Sequence, residues 1–247
     1  MDQEEIRALF DQQAAGYDAQ WEKTRPIREC LYLLLGAAFA DLPDEASVLC
    51  VGLGTGQELA HLAQARPGWR FTAVEPSGEM LRRCRALAER EGFAGRCVFH
   101  EGYLDSLPEA GPFDAATCFL VSQFLLDRGE RVGFFRGIAQ RLRPGGLLAS
   151  TDLAADIDSS EYAVLLQAWA RMMAAADVAP EAIERMRRAY GQDVAVLPPA
   201  GVEAILREGG FPLPVRFFQA GLIHGWLSRR CAPGDVESAP RPASASS

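Results

Sequence analysis

The chain is poor in the residues that mark metal and redox centres. It has three histidines, His61, His100 and His224, in 247 residues. Its six cysteines, Cys30, Cys50, Cys84, Cys97, Cys118 and Cys231, are scattered, and no Cys-x-x-Cys pair occurs. Neither a metal site nor a dithiol motif is indicated, and reduced thiols in a cytoplasmic protein are the simplest account. Long hydrophobic runs are missing too. The most apolar stretch, Leu31 to Ala40, is too short to span a bilayer, and the acidic, helix-forming N-terminus does not read as a signal peptide. Positive charge is not in excess, with 25 Lys and Arg against 33 Asp and Glu and a net charge of −8. That argues against an extended nucleic-acid surface. Two arginine clusters, Arg82, Arg83 and Arg85, then Arg185, Arg187 and Arg188, read as solvated helix faces.

What is present is an ordinary globular composition, 49% hydrophobic and 23% charged, in a length that fits one large domain or a domain with a cap. The sharpest feature is Val48-Leu49-Cys50-Val51-Gly52-Leu53-Gly54-Thr55-Gly56. Four apolar residues run into three glycines at alternate positions, and a helical pattern follows from Gln57 to about Gln64. This spells a buried parallel strand, a tight turn and a helix whose N-terminal amides face a ligand. Without a Cβ, glycine lets the backbone approach a nucleoside closely. The next apolar strand, Arg70 to Val74, ends at Glu75, 19 residues past Gly56. An acid at that place accepts hydrogen bonds from both ribose hydroxyls. A nucleoside site anchored by Gly52, Gly54, Gly56 and Glu75 is the reading; the bland alternative is structural turns and a solvated glutamate. The dinucleotide fingerprint Gly-x-Gly-x-x-Gly is not met, because Gln57 stands at its third position, which weighs against NAD.

The pattern keeps alternating. Strands 47–51, 70–74, 96–100, 115–119 and 147–152 interleave with helices 57–65, 77–91 and 129–141, which predicts an α/β fold with a doubly wound parallel sheet. Its strand C-termini, and with them Gly52, Glu75, Gly102, Phe119 and Asp152, share one edge. Strands 214–219 and 222–229 add an antiparallel pair, for a mostly parallel seven-stranded sheet. Residues 1–45, with helices Glu4–Ala14 and Arg25–Phe39, are expected to form an N-terminal helical lid segment, and 46–231 the main domain. Leu165, Leu166, Trp169, Met172 and Met173 at helical spacing, with a helix over Glu181–Tyr190, predict a helical cap over about 159–190 whose apolar stripe is its own core. Residues 232–247, rich in Ala, Pro and Ser, are expected to be a disordered tail.

The Gly-x-Gly-x-Gly spacing resembles motif I of the class I S-adenosylmethionine-dependent methyltransferases. Other segments match in order. Asp114 to Leu120 is similar to that family's fourth strand, and Leu142-Arg143-Pro144-Gly145-Gly146-Leu147-Leu148 to its turn into the fifth. The resemblance covers about 11–229 and is sharpest over 46–152. It implies S-adenosyl-L-methionine as cofactor and adds Leu53, Pro76, Met80, Gly102, Tyr103, Leu104 and Phe119 to the cofactor-binding positions. The segment Phe10-Asp11-Gln12-Gln13-Ala14-Ala15-Gly16-Tyr17-Asp18 resembles one that folds over the cofactor. Tyr17 either touches the cofactor there or only docks the segment on the core. The acid that the family often carries after its third strand is replaced by Tyr103, so adenine is expected to meet a ring and backbone groups instead.

Methyl transfer from a sulfonium needs alignment and exclusion of water more than a fixed triad. A general base helps only a protonated nucleophile. His224, on the last strand, is the candidate base, against a histidine packed in the sheet. Val121, Ser122 and Gln123 follow the fourth strand and, with Gln219 and His224, are expected around the acceptor. No Asn-Pro-Pro-Tyr or Asp-Pro-Pro-Tyr occurs there, and an apolar Phe-Leu-Val wall suits a small, partly apolar molecule. Two other readings stand. Residues 121–126 and Arg188 to Val194 resemble carboxy-S-adenosylmethionine synthase, where Arg188 would bind a carboxylate. The fold also suits a non-catalytic cofactor-binding protein. A homodimer is compatible with an exposed apolar cap.

Overall fold

The computed structural model describes residues 2–173 and 180–231; the expected tail over 232–247 lies outside them. Seven strands form one sheet in the order β3-β2-β1-β4-β5-β7-β6. These are β1 (Ser47–Val51), β2 (Arg70–Glu75), β3 (Cys97–Glu101), β4 (Phe113–Phe119), β5 (Leu142–Leu153), β6 (Val215–Ala220) and β7 (Ile223–Arg229). The first five run parallel, β7 runs against β5, and β6 against β7. The chain winds outward from β1 in both directions. The crevice between the C-terminal ends of β1 and β4 is therefore the topological switch point, where open sheets of this kind bind ligands.

Helices cover both faces, which is why the central strands read as continuous apolar runs rather than as alternation. On one face α3 (Arg25–Ala38), α4 (Gln57–Ala65) and α5 (Gly78–Arg90) bury Leu35, Leu59, Leu62 and Leu87 against Val48, Cys50, Phe71 and Ala73. On the other, α6 (Arg128–Arg141) and α9 (Pro199–Glu208) bury Phe135, Ile138, Val202 and Ile205 against Leu49, Ala116, Cys118 and Trp226. A third cluster joins Leu31 of α3 to Tyr162, Leu166 and Trp169 of α7 (Ser160–Met173) and to Phe218 and Ile223 of the antiparallel pair. Partly buried Ile183, Met186 and Tyr190 of α8 (Pro180–Gln192) pack on it, and the Trp169 indole donates to the Tyr190 hydroxyl at 2.9 Å. Strand β3 lies at the sheet's edge, with Val98 63% exposed. Cys97 is accordingly half-buried, unlike Cys50 and Cys118. All six cysteines are free. No described helix is long and apolar enough to cross a membrane.

One polar group interrupts the α4 face. Glu58 is buried beneath the glycine turn and accepts a 2.5 Å hydrogen bond from the Thr117 hydroxyl of β4. Burial pushes its pKa from 4.5 up to about 7, and the Thr117 bond only partly offsets this. The unfolded chain ionises first, so stability falls as pH rises from about 4.5 to 7, by on the order of 3 kcal/mol. A glutamine keeps the acceptor for Thr117 and removes the charge. Glu58→Gln is expected to raise the melting temperature at pH 8 by several degrees and to change it little at pH 5. Thermal denaturation at both pH values checks the sign.

Candidate active site

The glycine turn after β1 is built from left-handed backbone. Gly52, Gly54 and Gly56 have φ of 66°, 57° and 86°, a region in which any other residue is strained. At Gly52 space is also denied, since a Cβ would lie 2.4 Å from Val121 Cγ2. At Gly54 nothing lies within 4 Å of that position, which leaves its backbone open to a ligand. Glu75 locks the turn. One carboxylate oxygen accepts from the Gly54 amide at 2.9 Å and the other from the Ser77 amide at 2.9 Å. The group is 5% exposed, and burial pushes its pKa up to about 6 against the pull of the two amides.

A cavity of about 690 Å³ opens above these strand ends. From β1, β2, the turns that follow and the start of α5 come Gly52, Gly54, Glu75, Pro76 and Met80. Gly102, Tyr103 and Leu104 line it beyond β3, and Phe119 and Val121 beyond β4. Tyr17 reaches it from the N-terminal segment. Burial, with Glu75 and Asp18 adding, pushes the Tyr17 phenol up to about 12, so it stays neutral. Leu53 and Gly56 are not brought to the cavity. Leu53 packs into the α4 core, and the space beside Gly56 is taken by Cys84, 2.5 Å from where a Cβ would be.

The roof is α1 (Gln3–Gln13), which lays Ile6 and Phe10 over the cavity. The Phe10 ring meets Phe124 edge-on at 5.6 Å and lies 6.3 Å from Tyr17. Two carboxylates pin this segment. Asp11 accepts from the Ser77 hydroxyl at 2.6 Å and the Glu79 amide at 3.1 Å. Asp18 accepts from the Thr55 hydroxyl at 2.7 Å and the Gln57 side chain at 3.2 Å. Each thus puts negative charge at a helix N-terminus, of α5 and of α4, where the backbone dipoles favour it. Tyr103 lines the cavity, while its hydroxyl donates to the Gln3 carbonyl at 2.8 Å, tying it to the roof.

Five expected acceptor residues are elsewhere. Ser122 and Gln123 are buried behind the wall, with Ser122 bonded to Asp152 and Gln123 accepting from the Leu153 amide. Gln219 is exposed on the outermost strand, with β5 and β7 between it and β4. Arg188 is exposed on α8 and does not line the cavity. His224, the expected base, is 4% exposed, sits across from Asp152 on the α6 and α9 side of β7, and does not reach the cavity. Burial, with Arg216 adding, lowers its pKa to about 4. Of the other histidines, His61 stacks on Tyr32 at 5.0 Å and His100 pairs with Ser106 at 2.9 Å. Sequence reasoning missed the lining residues Ile6, Phe10, Asp105, Phe124, Leu125 and Phe134. For Phe10 the signal was its place in the N-terminal segment; for the rest, contacts formed only by folding decide.

Comparison with known proteins agrees with this geometry. Residues 48–146 match the family described as Methyltransferase domain. Over that stretch the chain is similar to the class I S-adenosylmethionine-dependent methyltransferases. It is 32% identical over 118 residues to erythromycin 3''-O-methyltransferase of Saccharopolyspora erythraea, covering 47% of this chain and 38% of that enzyme. It is 33% identical over 129 residues to trans-aconitate 2-methyltransferase of an Azoarcus species, covering 52% of this chain and 45% of that one. The matches thus span less than half the length of these relatives. An O-methyltransferase family protein from Burkholderia thailandensis shares the fold at a TM-score of 0.65 and 16% identity, over 92% of this chain and 60% of that one.

Gly52 tests the turn. With φ at 66° and Val121 in the way, Gly52→Ala is expected to lose about 1–2 kcal/mol or more of stability. Gly16→Ala, at a glycine with open space and no left-handed φ, is the control expected to lose much less. Chemical denaturation of both checks it.

Proposed function

We propose that the protein is an S-adenosyl-L-methionine-dependent methyltransferase acting on a small, partly apolar acceptor. The observation that carries this is the Glu75 carboxylate, held by two backbone amides at the lip of a cavity over the ends of β1, β2 and β4. Each of its oxygens keeps a second acceptor site after taking one amide, so the two ribose hydroxyls fit. Gly54 leaves the close approach open. Leu104 and Val121 line the same cavity, and Tyr103 ties its roof down.

The cofactor supplies an activated methyl group on its sulfonium. The protein's part is to orient it, bring the acceptor into line and keep water out. Phe10, Phe119, Leu120 and Phe124 make the apolar surround that does the last of these. Among the described residues, no histidine lines the cavity and Tyr17 is a neutral phenol. We assign rate enhancement mainly to alignment; the carboxylates of Glu75, Asp105 and Glu130 line the cavity and are the groups available there as proton acceptors. The activities named for the two relatives support a small-molecule acceptor. Six free thiols support the cytoplasm as its location. The carboxylated-cofactor reading draws no support from Arg188, which is exposed and outside the cavity lining.

Calorimetry with S-adenosylhomocysteine is expected to give a dissociation constant in the micromolar range or tighter; no heat and no thermal shift with either cofactor form overturns the assignment. Glu75→Ala loses hydrogen bonds to a charged acceptor and is expected to weaken binding about tenfold or more. The pH dependence has a defined sign. Protonating Glu75 removes an acceptor, so affinity is expected to fall as pH drops through about 6. Unchanged affinity between pH 8 and 5 speaks against ribose at this carboxylate. Tight binding without turnover across a broad acceptor panel would favour a non-catalytic role.

A further inference from the structure

The wall of the cavity beyond β4 has little backbone support of its own. It begins at Leu120, whose φ is 58°, a conformation that strains a non-glycine residue and persists only where its surroundings enforce it. The Leu120 amide is held by the Thr151 carbonyl at 2.8 Å and the Thr151 hydroxyl at 3.1 Å. A single 3-10 turn, Ser122–Phe124, follows. Leu120, Val121, Phe124 and Leu125 face the cavity, and Val121 presses on Gly52 of the glycine turn.

Behind this wall stands a buried cation. Arg131 of α6 is 1% exposed, and Asp152 at the end of β5 is fully buried. One Arg131 terminal nitrogen lies 3.1 Å from an Asp152 oxygen. Its Nε donates to the Ser122 hydroxyl at 2.9 Å, its other terminal nitrogen donates to the Ala195 carbonyl at 3.0 Å, and Ser122 donates to Asp152 at 2.8 Å. The Ala195 amide donates in turn to the Gln123 carbonyl at 2.7 Å, and the Gln123 side chain accepts from Leu153 at 2.7 Å. One guanidinium thereby joins α6, the wall, the end of β5 and the strip after α8.

Stability alone is a poor reason for such a pair. A buried ion pair is matched or bettered by apolar residues of similar volume. What apolar residues lack is direction. The planar fork of arginine sends hydrogen bonds along set lines to the Ser122 hydroxyl and the Ala195 carbonyl while its third nitrogen faces Asp152. We infer that Arg131 is a positioning residue that sets the wall over β4, and through Val121 the cofactor end of the cavity. This rests on the function proposed above. Arg131 touches neither ligand nor cavity; it acts through Ser122 and the chain that Ser122 carries.

Arg131→Met alone leaves Asp152 buried and unpaired, so loss of folding there says nothing of position. The paired variant Arg131→Met/Asp152→Leu removes both charges. Its melting temperature is expected to stay near that of the wild type, while amide exchange over residues 120–125 rises about tenfold or more and exchange over β1 does not change. Its affinity for S-adenosylhomocysteine is expected to fall about tenfold, and Arg131→Lys, which keeps the charge and part of the bonding, to fall between the two. Wild-type exchange and affinity in a stable paired variant overturn the inference. If the paired variant does not fold, Ser122→Ala decides, because it cuts the direct side-chain link from Arg131 to the wall and leaves the ion pair. Faster exchange over 120–125 supports the inference, and unchanged exchange overturns it. If the wild-type protein itself fails to bind S-adenosylhomocysteine, the proposed function fails, and the exchange measurements still decide the role of Arg131.

Discussion

The buried carboxylate of Glu75 ties two loops of this fold into one site. It takes an amide from the glycine turn after β1 and another from the turn after β2, at adjacent strands in register from Ser47 and Arg70 onward. Neither loop is repetitive structure, and the glycine turn contains three left-handed residues. A charged acceptor in a nearly dry place binds backbone amides about twice as strongly as a neutral one. The same burial raises its pKa toward neutrality. The group is therefore at once a structural clamp and an acid at the cavity's edge whose pKa burial raises.

Two elements close on that clamp from opposite sides. From the N-terminus come α1 and Tyr17, fastened through Asp11 and Asp18 to the starts of the two helices that follow the clamped turns. From the other side comes the short wall after β4, fastened through Ser122 and Gln123 to β5 and to the strip after α8. The roof is held by carboxylates on helix N-termini near the surface, the wall by charges sealed from water. Groups of the first kind exchange readily with solvent, and those of the second do not.

The fold was legible from local pattern because every strand and helix had to bury an apolar face. Val48–Val51 is apolar on both sides, and Ala115–Cys118 is so but for the buried Thr117, which only a sheet covered on both faces allows. The part of the cavity lining on β1 and β2 was legible for a related reason. Gly52, Gly54 and Glu75 are needed by the backbone of a strand–turn–helix unit, whatever packs around it. The rest of the lining was not legible. Ser122 and Gln123 follow β4 as Val121 does, yet they turn inward while Val121 lines the cavity. His224 lies near the ligand edge, but the pleat of β7 sends it to the same face as Trp226, behind the wall. In a strand, one position decides between two faces, and nothing near His224 in the chain shows which face is covered.

Arg131 marks the same boundary. In the chain it looks like one more charge on an amphipathic helix, and only the meeting of α6, β5 and residues 194–197 makes it a buried hub. By itself the sequence determined the alternation of strands and helices, the glycine turn, and the acid at the second strand's tip. Short-range sterics and apolar periodicity dictate all three. The tertiary structure alone decided which side chains face the cavity and which brace it from behind. That choice depends on contacts between residues tens of positions apart, whose directions no local pattern encodes.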